Sequence, residues 1–268
     1  MLIETHCIAC GERFTTPVTR STGVLCQVCH PQGLFRKQII ITGITRMGGG
    51  HICVSGIDTL TKRFVRPVFA YGLDRDFAME GSSQVVRHFN LVEMEFRQYR
   101  PYPEFHTEDW VINENFAPRF IRHLSDDEVT SIVAEMSVEN LSAALEPKNR
   151  SLFIVRAQQL VDIWHEQYET FKVRATFIDQ SNNRFDRVPV TDLLILAYVR
   201  YQVSRGYDNY ASDIVNYFNR NPHRYVRIGL TRQWHGQHWK QVTALITVPD
   251  LFGGNTFSYF EGKIGEHV

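Results

Sequence analysis

Long apolar runs are absent from this chain. The longest, Leu193 to Val199, is far too short to cross a bilayer, so membrane spanning by a helix is excluded on length. The first residues, Met1-Leu2-Ile3-Glu4-Thr5-His6, carry neither a basic start nor an apolar segment. No secretory leader is expected, and the chain reads as soluble and cytoplasmic. Net charge is absent too: 29 Lys plus Arg balance 29 Asp plus Glu. Any contact with nucleic acid must therefore come from a local basic patch rather than from the field of the whole molecule. The one run of three glycines, Gly48-Gly49-Gly50, lacks the Gly-Lys-Ser/Thr ending of a P-loop, which removes the usual signature of nucleotide hydrolysis.

Cysteine is scarce, yet four of the five residues fall in two tight pairs, Cys7-Ile8-Ala9-Cys10 and Cys26-Gln27-Val28-Cys29, with 15 residues between them. Two thiolates separated by two residues bend around one ion, and a second such pair completes the tetrahedron that zinc takes from four sulfurs. The spacing predicts a zinc ribbon over residues 1–33, with Cys7, Cys10, Cys26 and Cys29 as ligands. Zinc with four protein ligands has no open position, so the expected role is structural. The fifth, Cys53, sits between apolar neighbours on an expected strand and reads as a core thiol.

After Pro31-Gln32-Gly33 the pattern turns to β. Gln38 to Arg46, His51 to Asp58 and Arg63 to Phe69 are expected strands of a meander, with the Gly48-Gly49-Gly50 turn between the first two. Leu91 to Arg97 alternates apolar and polar residues as a half-buried strand does. Ser125-Asp126-Asp127-Glu128 is a capping box, and Val129, Ile132, Val133 and Met136 follow at helical spacing. A shorter helix is expected over Ser137 to Leu145, stopped by Pro147. Strands resume at Leu152 to Val155 and Phe171 to Ile178. Asp192 to Arg200 is apolar on every side and fits either a buried helix or a core strand. Ser212 to Asn219 reads as a helix, and Tyr225 to Val248 as a closing hairpin.

Two hairpins echo one another: Gly43-Ile44-Thr45-Arg46 leads through glycine to His51, and Gly229-Leu230-Thr231-Arg232 leads through His235-Gly236-Gln237 to His238. A duplicated small barrel would account for the echo and for the many short strands. The fold class that follows is mainly β with inserted helices (α+β): a ribbon, a first small OB-like barrel with a helical insertion over residues 34–147, and a second OB-like barrel over residues 148–268.

In Ile41-Thr42-Gly43-Ile44-Thr45-Arg46 through Gly56-Ile57-Asp58, in Phe64-Val65-Arg66-Pro67, in His106-Thr107-Glu108-Asp109-Trp110, in Pro189-Val190-Thr191-Asp192, and in Arg227 to Arg232 with Trp239-Lys240-Gln241-Val242, the chain resembles the dual OB-containing domain family of prokaryotes. The resemblance implies two OB folds in one unit, a setting in bacterial conflict or antiviral defence systems, and a nucleic-acid or nucleotide ligand. It carries over no catalytic residues and leaves the ribbon outside the matched region.

An OB barrel grips a strand with a basic groove and exposed aromatics on which bases stack. Arg46, His51, Arg66, Arg232, His238 and Trp239 are the candidate nucleic-acid-binding residues. Arg97, Arg100, Arg174, Arg227 and Lys240 are further groove candidates, and Tyr99, Tyr102, Phe105 and Trp234 further platforms. The plainer expectation is that such arginines are solvated and such aromatics are core. His106, Glu108 and Asp109 gather metal-binding chemistry in five residues, but a short cluster of this kind more often orients a loop. The leading expectation is a non-enzymatic nucleic-acid-binding protein. The alternatives are a docking module for protein partners in a complex, and a metal-dependent nuclease or nucleotide hydrolase.

Overall fold

The computed structural model describes residues 2–7, 11, 13–17, 34–70, 72–102, 105–167, 169–233 and 235–264. The N-terminal hairpin pairs β1 (Leu2–His6) with β2 (Arg13–Pro17) in antiparallel register. Of the four expected zinc ligands only Cys7 is among the described residues, and it is buried; Cys10, Cys26 and Cys29 lie outside them.

The first barrel is built from β3 (Phe35–Arg46), β4 (Ile52–Asp58), β5 (Phe64–Val68), the small hairpin β6 (Met79–Glu80) and β7 (Ser83–Gln84), then β8 (Asn90–Tyr99), β9 (Asp109–Ile112) and β10 (Arg119–His123). Five of these close on themselves in the order β3-β4-β5-β9-β8-β3, with β10 added outside β8. Every neighbouring pair in the ring is antiparallel except β5 with β9. The ring interior takes Ile39, Ile41, Val54, Val92, Met94 and Phe96, alternate residues of paired strands, as the pleat requires.

Next come α1 (Asp126–Met136), β11 (Ser137–Val138) and α2 (Leu141–Leu145). The capping box forms as its sequence predicts: Ser125 Oγ accepts from Glu128 N, and Ser125 N donates to the Glu128 carboxylate. Val129, Ile132 and Val133 bury one face of α1 in a seam between Ile40, Ile57 and Leu91 of the first barrel and Leu152, Ile154 and Ile246 beyond it. The expected helix over Ser137 to Leu145 is shorter than its pattern. Ser137–Val138 instead pairs in parallel with the next long strand, and Asn140 caps Leu141–Leu145 by accepting from Ala143 N.

The second barrel comprises β12 (Leu152–Gln167), β13 (Phe171–Asp179), β14 (Arg184–Val190), the helices α3 (Leu193–Ser204) and α4 (Tyr210–Arg220), then β15 (His223–Leu230), β16 (Lys240–Val248) and α5 (Phe257–Ile264). Its ring, β12-β13-β14-β16-β15-β12, repeats the first: third and fifth strands are parallel, and all other neighbours are antiparallel. Two closed five-stranded barrels with this shared connectivity are OB-like. Asp192 settles the ambiguous apolar run, since its Oδ1 accepts from Leu194 N and Ile195 N and starts a helix. Leu193 to Ala197 are all buried, which is why no polar face marked the helix.

The hairpin echo is not the trace of the duplication. Gly43 to Arg46 ends the first strand of its barrel, whereas Gly229 to Leu230 ends the fourth strand of the other. Among the described residues no helix is long and apolar enough to cross a membrane.

Candidate nucleic-acid interface

The barrels meet at the two hairpins. Arg46 N donates to Thr191 O at 2.8 Å, and Thr45 bridges Asp192. Behind this contact a cavity of about 530 Å³ opens between the barrels. One wall is the first barrel's second and third strands and the turn before them: Met47, Gly48, His51, Ile52, Cys53, Ser55, Arg66, Pro67 and Val68. The other is the β15–β16 hairpin of the second barrel, through Arg227, Gly229, Leu230, Arg232, Gln241 and Thr243. The turn follows from its glycines: Gly49 and Gly50 have φ of 72° and 83°, where a side chain is unfavourable.

Four arginines face this space, Arg46, Arg66, Arg227 and Arg232, and no Asp or Glu is among the described residues that line it. Arg227 is fully buried. Its Nε donates to Thr42 Oγ1 at 3.0 Å, Nη1 to Thr243 Oγ1 at 2.8 Å and Nη2 to Ser55 Oγ at 2.8 Å, so its partners are neutral hydroxyls from both barrels. Burial draws its pKa down to about 10, which still leaves it charged at neutral pH. Arg46 donates to Phe171 O at 3.2 Å, and burial together with the Arg200 cation lowers its pKa. Arg66 is held more conventionally: Nε donates to Asp109 Oδ1 at 2.6 Å and Nη1 to Ser151 Oγ at 3.1 Å. Arg232, 63% exposed at the mouth, lies 3.5 Å from the far oxygen of the same Asp109 and 5.4 Å from the Tyr102 ring.

His106, Glu108 and Asp109 clasp the two barrels together. Arg66 Nη2 donates to His106 Nδ1, so the ring proton sits on Nε2, which donates to Thr231 O at 3.1 Å. Burial and the Arg66 charge push the His106 pKa down to about 3, in keeping with a neutral ring. Glu108 accepts from Ser151 N at 2.6 Å, Ser151 Oγ at 3.0 Å and Leu152 N at 3.1 Å. Glu108 is taken up by Ser151 and Leu152, and His106 and Asp109 both engage Arg66. Among the described residues no cluster of three or more His, Cys, Asp or Glu is arranged to hold a metal.

Four of the six sequence candidates, Arg46, His51, Arg66 and Arg232, line this single cavity. His51 Nδ1 lies 3.0 Å from Asp74 Oδ1. His238 and Trp239 stand beside the cavity on the β15–β16 connection: His238 Nδ1 donates to Thr231 O at 2.7 Å, its ring centroid 5.9 Å from that of His106, and Trp239 is 53% exposed. Arg227, a secondary candidate, proves to be the floor. Arg97, Arg100, Arg174 and Lys240 do not line the cavity; Arg97 bonds Asn113, and Arg174 bonds Glu166 on the second barrel. Phe105 is core and Tyr99 packs on Trp110, as the plainer reading had it, while Tyr102 and Trp239 are exposed. Trp234 lies outside the described residues. Cys53 is half-buried and lines the cavity, so it is not a core thiol; its strand position faces the second barrel instead.

On the corresponding face of the second barrel Arg187 stands 5.9 Å from the Trp164 ring, and Glu166, which accepts from Arg174 at 3.1 Å and from Arg187 at 3.4 Å, offsets one of the two positive charges. A larger opening of about 780 Å³ beside α2 is lined by Lys62, Arg63 and Arg150 together with Glu108.

The sequence model of one family, the dual OB-containing domain, matches residues 37–245. No curated protein matches the chain.

Proposed function

Because the chain belongs to the dual OB-containing domain family, we propose that it is a non-enzymatic nucleic-acid-binding protein that holds single-stranded or structured DNA or RNA at the cleft between its barrels. The observation that carries this reading is the arginine set. In a chain with no net charge, four guanidinium groups from both barrels turn into one cavity whose described lining has no carboxylate.

Arg232 and Arg46 sit where phosphates would first meet the protein, and Arg66 and Arg227 sit deeper. Arg guanidinium forks match phosphate oxygens in pairs. Tyr102 and Trp239, exposed near Arg232, offer rings on which bases stack. Cys7, Cys10, Cys26 and Cys29 hold a structural zinc ion in this reading, supported by their spacing and by the burial of Cys7. The defence setting rests on the family resemblance alone.

The test is fluorescence anisotropy with labelled single-stranded and duplex DNA and RNA at 50 and 300 mM salt. Each phosphate neutralised on a single strand gives a slope of about −0.7 in log K against log salt, so three predict about a 40-fold loss over that range. Arg46→Ala and Arg232→Ala should each weaken binding at least tenfold. Equal affinity at both salts would contradict the reading, and no binding at low salt would turn it towards a protein-docking role.

A further inference from the structure

The cleft has the place of an OB binding groove but not its open ends. On such a barrel a strand lies across the second and third strands, between the loop joining strands one and two and the loop joining strands four and five. In the first barrel those parts are β4 and β5, the 47–51 turn and the loop that carries His106. The second barrel stands directly over that track. Arg227 reaches across to Ser55 on β4 and Thr42 on β3, and His106 in the second loop bonds Thr231 O of the opposite hairpin. Arg66 and Glu108 both bond Ser151, which leads into β12. A continuous strand could pass only by breaking these buried hydrogen bonds.

The remaining space, about 530 Å³, lies within the range of pockets that hold one small ligand. Its wall presents the partly exposed Phe69 to a base and Arg46 and Arg232 to an anion, with Arg66 and Arg227 buried behind them. Among the described residues Arg227 and Arg46 bond only neutral oxygens, hydroxyls and a carbonyl, and no carboxylate lies within hydrogen-bond reach of either. For Arg227, which is fully buried, a cation held without a counter-charge is costly. A terminal phosphomonoester carries about −1.5 to −2 charges at neutral pH, more than an internal diester, and three acceptor oxygens.

We propose that the inter-barrel cleft is a blind pocket for a nucleotide bearing a terminal phosphomonoester, supplied either as a free mononucleotide or as the phosphorylated end of a strand. The proposal rests on the nucleic-acid reading above and narrows it: the protein reads ends, not tracks.

The experiment compares one 12-nucleotide sequence in four forms, with a 5′-phosphate, with a 3′-phosphate, with hydroxyls at both ends, and covalently circularised, alongside a nucleoside monophosphate as competitor. One phosphorylated linear form should bind at least tenfold more tightly than the hydroxyl-ended and circular forms. The preference should collapse in Arg46→Ala and in the exposed Arg232→Ala, with unchanged circular dichroism. Binding of the circle as tight as that of the phosphorylated strand would overturn the blind pocket while leaving nucleic-acid binding intact. Binding of the monophosphate without any strand would uphold the pocket with a free nucleotide as its ligand and overturn the strand reading. No binding of any form would overturn both.

Discussion

A methyl group added to Gly43 would stand 2.4 Å from Nη1 and 2.9 Å from Cζ of Arg227, a residue of the other barrel. Gly43 has no positive φ that would call for glycine. Its missing side chain is therefore explained by the guanidinium passing over it, on the way to Thr42, Ser55 and Thr243. The strand gives up packing at this position so that one arginine can cross between barrels.

Gly43→Ala should accordingly destabilise the protein by about 1–3 kcal/mol, the usual cost of overpacking a close contact. Gly48→Ala, with nothing within 4 Å of its added carbon, should change stability by no more than about 0.5 kcal/mol. Urea denaturation of the two variants checks this; equal stability would mean that Arg227 does not hold its described position.

Arg227→Met tests whether the buried cation serves stability or binding. Removing a buried charge that has no counter-charge relieves its desolvation cost, and here it leaves three buried hydroxyls to find other partners, at about 1–3 kcal/mol for each that stays unsatisfied. The expected result is a folded protein that has lost at least tenfold in nucleic-acid affinity. A folded variant with undiminished affinity would remove Arg227 from the site.

His106 should be neutral, with its proton on Nε2, down to low pH. Its folded pKa of about 3 lies below the ordinary value of 6.5, so between those limits the unfolded chain binds the proton more strongly. The contribution of His106 to stability is complete above pH 6.5 and is lost as pH falls towards 3. Nitrogen-15 NMR of the histidine rings at pH 6 should find an unprotonated Nδ1 for His106, and His106→Gln should flatten the acid limb of the stability curve. Asp192, whose pKa burial raises to about 8, acts in the opposite sense and is unchanged in that comparison.

Much of this was legible beforehand, for identifiable reasons. The capping box at Ser125 declares itself through two short-range hydrogen bonds, and the alternation of Leu91 to Arg97 through the pleat. The length of β12 was hidden: its register shifts near Gln158 and Asp162 break the alternation, so only Leu152 to Val155 read as strand. The parallel pairing of Ser137–Val138 depends on a partner far along the chain, which no local pattern reports. The arginines were visible as candidates, but their convergence depends on how one barrel sits over the other. The glycine echo joins two unrelated strand ends that adjoin one cleft. A buried arginine at position 227 carried one legible sign, the glycine at 43 that makes room for it.

The paired cysteines yield a separate expectation. Purified protein should carry about one zinc per chain by elemental analysis, and Cys26→Ser should lower that content and destabilise the N-terminal segment, since structural zinc contributes directly to folding. A full-length preparation made without chelator that holds no zinc would contradict the four-thiolate site.

The central claim is that the ligand lies between the barrels, and photo-crosslinking tests it most directly. A single strand carrying 4-thiothymidine near a phosphorylated end should crosslink to peptides spanning residues 45–55, 66–73 and 227–243, and Arg46→Ala should abolish the adducts. Adducts confined to the open face of the second barrel, around Trp164, Arg174 and Arg187, would contradict it.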